Sequence, residues 1–286
     1  MINQFYLLYP ITTYVFLGIL FLAVGSLLNV IIYRLPLMID TEWKAQCSNL
    51  LSLPNKPKEK KLNLFLPRSF CPICKSMIPI WFNIPIISYC ILLGKCTKCK
   101  QKISFRYPLI EIICLIISLY AVWFFGINLK LIFILPFIWI LICLFFIDLD
   151  HQLLPDSLNL SLLWLGLISN TMFTFTTPSN AILSAAAAYI FLWLFIKLFY
   201  LLTKKTGMGN GDFKLFGAFG AWFGWTTLPI ILLISSFIGA IIGTLYLKIS
   251  AKNLDTQIPF GPFLCIAGLI SLFFGNEIIQ WYIKII

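Results

Sequence analysis

The chain has 286 residues, of which 60% are hydrophobic and only 11% charged, far more apolar surface than one soluble core of this length buries. A single soluble domain is excluded, and the class is membrane protein. The net charge of +11 does not call for nucleic acid, because no recognition motif accompanies the basic residues and the anionic inner leaflet of a membrane accounts for them.

Runs of mostly apolar residues recur near 10–33, 107–126, 130–148, 158–176, 181–202, 213–227, 228–248 and 260–283. Each is near the roughly 20 residues that cross about 30 Å of hydrocarbon, so an all-α polytopic bundle of about eight transmembrane helices is expected. The runs 158–176 and the Gly-rich 213–227 are the weakest, the latter reading as a short or partly re-entrant segment. No basic residue precedes the first run, and Arg34 follows it, so it reads as an anchor rather than a removed signal. Thirteen of the 21 Lys and Arg lie between Arg34 and Arg106, which places that segment in the cytosol and the N-terminus outside. Alternation then puts Lys204, Lys205, Lys214, Lys248 and Lys252 on the cytosolic side and Lys130 and Lys284 outside. Three regions follow: 1–33 as first anchor, 34–106 as a cytosolic loop, and 107–286 as the transmembrane core.

Inside the loop, the stretch Leu53 to Arg68, with Pro54, Pro57, Pro67 and Lys56, Lys58, Lys60, Lys61, reads as solvated chain leading to a small module. That module holds Cys71-Pro72-Ile73-Cys74 and, 21 residues on, Cys96-Thr97-Lys98-Cys99. Two such knuckles can close a tetrahedral four-thiolate site on zinc, with backbone N–H groups aimed at the sulfurs. Two disulfides are the alternative, which a reducing cytosol disfavours. A closed site of four thiolates makes the zinc structural, and Lys75, Lys95, Lys98 and Lys100 read either as offsetting its negative charge or as a solvated, lipid-facing surface. Cys47, Cys90, Cys114, Cys143 and Cys265 read as small core hydrophobes.

Only ten Asp and Glu are present, so those at membrane edges carry information. Glu111, one turn into the second run, reads as structurally paired; Asp40, Glu42 and Glu59 belong to the solvated loop, and Asp255 and Glu277 to surfaces. The other four gather in two places on one membrane face. Phe146-Ile147-Asp148-Leu149-Asp150-His151 continues to Leu154-Pro155-Asp156 at the end of the third run, and Gly207-Met208-Gly209-Asn210-Gly211-Asp212 opens the sixth. Two carboxyls held close share one proton, so that one activates water while the other protonates a carbonyl or leaving group. Spacing alone leaves Asp148, Asp150 and Asp156 all open as the partner of Asp212. Glycines 207, 209 and 211 let a peptide approach closely, and Gly220 with Gly224 reads as a helix-packing pair. His151 is the single histidine, so a His-x-x-x-His metal pair is impossible and a serine mechanism lacks its surroundings. A transporter or proton channel with a structural zinc loop would also place acids and broken helices in the membrane, though nearer its midplane.

These motifs together resemble the type IV prepilin peptidases over nearly the whole chain. The resemblance also rests on Gly25-Ser26-Leu27-Leu28-Asn29 through Tyr33-Arg34-Leu35-Pro36, on Ser104-Phe105-Arg106-Tyr107-Pro108, and on Ile258-Pro259-Phe260-Gly261-Pro262-Phe263. It implies that Asp148 and Asp212 are an aspartyl dyad, the family's first aspartate standing seven residues before the Pro of a Leu-Pro pair, here Pro155. It further implies cleavage of prepilin and pseudopilin precursors after the glycine of a short basic leader, at the cytosolic face of a bacterial inner membrane. Methylation of the new N-terminal amine from S-adenosylmethionine is implied with it, Gly94 matching a glycine tied to that activity. For Asn29 an interhelical hydrogen bond, and for Arg34 a membrane-edge anchor, are the ordinary accounts beside a contribution to activity.

Overall fold

A computed structural model describes residues 10–52, 63–66, 70–71, 74, 76–77, 79, 85–172, 174–204, 208–249 and 258–285. Most of Leu53 to Arg68 lies outside them, as do Glu59, Pro72, Ile73, Lys75, Lys205, Gly207, Lys252 and Asp255. Among the described residues there are nine helices, against the eight or so expected, and two isolated β-bridges. The helices form two compact units, Met1–Ile127 and Asn128–Ile286.

The first unit contains α1 (Pro10–Leu50), the short α2 (Ile87–Ile91) and α3 (Arg106–Phe125). Helix α1 does not stop with its apolar run at 33. It continues through Pro36 and the polar residues beyond for 41 residues, about 60 Å at 1.5 Å per residue and twice the hydrocarbon thickness. The segment expected as a loop from 34 therefore begins as helix, where Lys44 pairs with Asp40 one turn away. Helices α1 and α3 pack together where Gly25 removes a side chain. A Cβ there would lie 2.8 Å from the Glu111 Cα, and Asn29 Nδ2 donates to the Tyr107 carbonyl at 3.0 Å, the interhelical bond expected of it.

The second unit contains α4 (Leu131–His151), α5 (Asp156–Thr171), α6 (Pro178–Thr203), α7 (Asn210–Phe223), α8 (Leu228–Ile249) and α9 (Gly261–Ile285). Helix α7 is its centre, packed by α5, α6, α8 and α9, and is buried along nearly its whole length from Asp212 to Phe223. Small residues let its neighbours approach. A Cβ on Gly220 would meet the Ser184 carbonyl oxygen of α6 at 2.6 Å, one on Gly166 the Trp222 ring at 2.5 Å, and one on Gly268 the Phe219 ring at 2.5 Å. Gly220 thus packs as expected of a small-residue pair, whereas Gly224 has φ +74 and caps the helix. Polar side chains finish the lock: Trp222 Nε1 donates to Leu162 O at 2.8 Å, and Asn170 Nδ2 donates to the carbonyls of Ala221 and Trp222.

Helices α1, α3, α4, α6, α8 and α9 are long and apolar enough to cross a membrane. The two weakest of the eight expected spans correspond to α5, with 16 residues, and α7, with 14. These reach about 24 and 21 Å by the helical rise, short of the hydrocarbon thickness. The apolar character of α7 reflects burial among other helices, which composition does not distinguish from exposure to lipid, whereas α5 buries Asn159, Leu162, Gly166, Ser169 and Asn170 and exposes Leu160, Trp164 and Ile168.

Candidate active site

In the last turn of α4, Asp148 and Asp150 are two residues apart, roughly 200° around the helix, so both cannot face the same way. Asp148 is buried, with 5% exposure, and Asp150 is exposed. The helix ends when Gln152 turns left-handed at φ +49 and donates its N–H to the Asp148 carbonyl at 2.9 Å. After Leu153 and Leu154, Pro155 sets the start of α5. Asp156 is exposed there and bridges to Lys214 in the first turn of α7 at 2.6 and 2.7 Å. His151 is exposed at the end of α4.

Asp212 stands at the third position of α7 and is 7% exposed. Its Oδ2 turns back to accept the Gly209 N–H at 3.0 Å, closing the first turn, while its Oδ1 is buried with no partner among the described residues. Helix α7 is not one of the long spanning helices. At its start, burial and then the charge of Asp148 push the Asp212 pKa up to about 7, so the two carboxyls lie within electrostatic reach of each other.

Two glycines admit this pair. At Gly261, the first residue of α9, a Cβ would fall 2.5 Å from Asp148 Oδ2 and 3.1 Å from Leu154 Cδ1. The Gly261 N–H donates to the Asp148 carboxylate, placing it at the positive end of α9. At Gly211 a Cβ would fall 2.6 Å from Leu154 Cβ. The buried Leu154 side chain is thus held against both glycines. Asn159, 1% exposed in the first turns of α5, donates Nδ2 to the Gly211 carbonyl at 3.3 Å. Cys265, one turn into α9, is buried within electrostatic reach of both aspartates. Sequence reasoning gave no role to Gly261, Leu154 or Asn159. The only signal for them was the Pro259-Phe260-Gly261-Pro262 helix start and the Leu154-Pro155 turn.

In the first unit, Cys71, Cys74, Cys96 and Cys99 bring their sulfurs within 4.8 Å of one another. Cys71 and Cys99 are 3.8 Å apart and Cys74 and Cys96 3.9 Å. A tetrahedron of sulfurs about 2.3 Å from zinc has edges of about 3.8 Å, whereas a disulfide needs about 2.05 Å, so the thiols fit the metal rather than each other. Both knuckles have one design. Cys71 N–H donates to Ser76 O and Cys96 N–H to Gln101 O, each at 2.9 Å, and the bridges Phe70 with Met77 and Lys95 with Lys102 close the two turns. The Ser76 hydroxyl and backbone hold the Cys74 thiol down to about 6, and the backbone N–H groups of Cys99 and Lys98 lower that of Cys96, favouring thiolates at these two positions, while burial and the other three thiols push Cys99 up to about 11.

Gly94 has φ +66, and a Cβ there would meet the Tyr89 hydroxyl at 2.8 Å; its N–H donates to Tyr89 O and its carbonyl accepts Ile103 N–H at 2.7 Å. It therefore ties the end of α2 to the second knuckle. Arg34, read as a membrane-edge anchor, is instead buried, donating to the carbonyls of Asn63 and Leu64 at 2.9 and 3.2 Å. Five fixed donors let a guanidinium gather carbonyls from a turn, which suits it to an internal tie. Glu111 Oε2 accepts the Ile86 N–H at 2.8 Å, a structural pairing with backbone. Of the remaining cysteines, Cys114, Cys143 and Cys265 are buried as expected, while Cys47 and Cys90 are exposed.

No solved structure gives a significant match. A sequence model described as the type IV leader peptidase family matches residues 135–244, and one described as the bacterial peptidase A24 N-terminal domain matches residues 19–125. The chain is 59% identical to a prepilin leader peptidase/N-methyltransferase of Legionella pneumophila, covering 99% of each chain. It is 47% identical to a protein of the same name from Stutzerimonas stutzeri, over 93% of this chain and 92% of that one. It is also 43% identical to one from Neisseria gonorrhoeae, over 91% and 90%. On that evidence, and with a polytopic helical architecture to match, the chain belongs to the type IV leader peptidase family.

Proposed function

We propose that the chain is a bifunctional prepilin leader peptidase and N-methyltransferase of a bacterial inner membrane, working at the cytosolic face with its N-terminus outward. One observation carries the reading: of two buried carboxyls from different helices of one unit, Asp212 feels the charge of Asp148, and Asp212 Oδ1 has no partner among the described residues. The name shared by relatives that match the whole chain supports it. The carboxylate of the pair takes a proton from water, and the hydroxide equivalent adds to the scissile carbonyl while the protonated partner gives its proton to the carbonyl oxygen. Collapse of the resulting diol returns a proton to the pair, protonates the leaving amine, and releases a leader acid and a new N-terminus. The substrates are prepilins and pseudopilins, cut after the glycine that ends a short basic leader and before phenylalanine.

The methyl group then passes from S-adenosylmethionine to the new amine, which must be neutral to attack and loses a proton on transfer. We assign this step to the unit carrying the cysteines and Gly94. Cys71, Cys74, Cys96 and Cys99 would hold zinc, and a metal bound by four thiolates would supply structure only. The lipid bilayer is the other constant partner, and nucleic acid is not one.

The test is to incubate the purified chain with a prepilin-like peptide and S-adenosylmethionine and read the products by mass spectrometry. Leader loss at the glycine followed by gain of one methyl group is expected. An intact peptide with active, folded enzyme of a relative as positive control refutes the reading.

A further inference from the structure

Asn159 lies in the first turns of α5, 1% exposed, with its amide against the peptide unit that joins Gly211 to Asp212. A carbonyl oxygen only accepts, so contact with Gly211 O fixes which end of the amide faces it: the nitrogen donates, and Oδ1 points away. That oxygen is buried and has no partner among the described residues. The neighbouring side chain repeats the pattern. Asp212 Oδ2 is satisfied by Gly209 N–H, and Asp212 Oδ1 is buried without a partner. Two acceptors, each fixed by a bond from its other atom to the same turn of backbone, are thus left over beside one peptide group. Burying an acceptor without a donor costs free energy, and a pair of them persists where a ligand supplies the protons.

We propose that Asn159 Oδ1 and Asp212 Oδ1 together hold the water that attacks the scissile carbonyl. The inference rests on the aspartyl reading above and adds a third residue to it. Water carries two donors and needs two to four polar partners when buried. Donating one proton to each oxygen leaves its lone pairs turned outward, towards a carbonyl carbon. Asp212 removes the proton it already accepts, the water oxygen forms the new bond to carbon, and Asp148 supplies the proton to the carbonyl oxygen. Asn159 neither gains nor loses a proton; it fixes the direction of the lone pair and prevents the water from turning its oxygen towards Gly211.

The test compares Asn159→Ala, Asn159→Thr and Asp212→Asn in the full chain, in detergent, with a prepilin-like peptide. Ala removes both hydrogen bonds, whereas Thr is of similar volume and keeps one donor and an acceptor lone pair. Asn159→Ala is expected to lower kcat for cleavage about 10²-fold with KM within about twofold of wild type, as for loss of a positioned group in the proton-transfer step. Asn159→Thr should recover most of kcat. A wild-type kcat in Asn159→Ala overturns the proposal. So does a fall in kcat that tracks a rise in KM and a lower Tm without rescue by Thr, because that is the signature of a residue that only braces α7. The two readings fail separately: Asp212→Asn that still cleaves removes the aspartyl mechanism, whereas an inactive Asp212→Asn beside a fully active Asn159→Ala removes only the role of Asn159.

Discussion

The cysteine cluster of the first unit and the carboxyl pair of the second differ in how far along the chain their parts are gathered. The cysteines come from two knuckles 28 positions apart at most, each closed by its own backbone bonds, and the second bridge lies beside Gly94. Asp148 and Asp212 are separated by two helices, α5 and α6, and come within electrostatic reach beside Gly211 and Gly261, which leave room for Leu154 and the Asp148 carboxyl. The thiols face one another and fit a closed metal site, while the carboxyl pair keeps an acceptor with no partner among the described residues. A site made for holding is locally encoded and saturated, and one made for reacting is assembled late and left partly unsatisfied.

The strongest way to break that contrast is at the carboxyls. Asp148→Asn and Asp212→Asn are each expected to lower cleavage of a prepilin peptide by at least about 10³-fold, while zinc content and methylation of an already cleaved peptide persist. Near wild-type cleavage by Asp148→Asn, with loss in Asp150→Asn, would transfer the role to the exposed acid. The pH profile sharpens the same point. Burial and the charge of Asp148 lift the Asp212 constant to about 7, so the pair keeps its one shared proton to about that pH, and cleavage should fall as pH rises beyond that region and fall again in acid when both carboxyls are protonated. A rate that keeps climbing to pH 9 or so would show that no shared proton is needed.

Next in size is Gly261→Ala. Its methyl would sit 2.5 Å from Asp148 Oδ2, and a displacement of order 1 Å at a reacting group costs about 10²-fold, so cleavage should drop by that factor with methylation spared. Equal loss of both activities would mean that α9 supports the whole molecule rather than one carboxyl.

Cys71→Ser attacks the other site. It should reduce zinc from about one per chain towards none and impair methylation more than cleavage, read by metal analysis and by the two product masses. Active methyltransferase without zinc would end the structural role of the metal. The smallest effect is expected from Asp156→Asn. Its bridge to Lys214 is partly exposed, with side-chain exposures of 61% and 33%, so about 0 to 1 kcal/mol of stability and little activity should be lost.

How much of this was legible in sequence follows the same division. The four thiols could be read from spacing because a CxxC turn is a local structure. Asp212 stood out as a candidate because it is one of few acids and opens an apolar run, its glycines alone being a weak signal. Choosing Asp148 over Asp150 needed the resemblance, since only the packing of α4 tells which of two nearby acids turns inward. Gly261 and Asn159 were silent because each matters through a contact with a residue far along the chain. Helix α7 looked like a weak span because a helix buried in protein and one facing lipid are equally apolar. Arg34 looked like an anchor because its partners, Asn63 and Leu64, are brought to it only by the turn of the chain.

The backbone N–H that meets Asp148 is supplied by Gly261, at the head of α9, the final helix of the described chain. During synthesis every other part of the carboxyl site, through Asp212, emerges and inserts before that residue does. A ribosome-bound chain that stops short of α9 therefore has both aspartates in the membrane with the Asp148 carboxylate still lacking its helix terminus. On the aspartyl reading, proteolytic competence is then timed by translation, waiting on α9 rather than growing with each earlier helix.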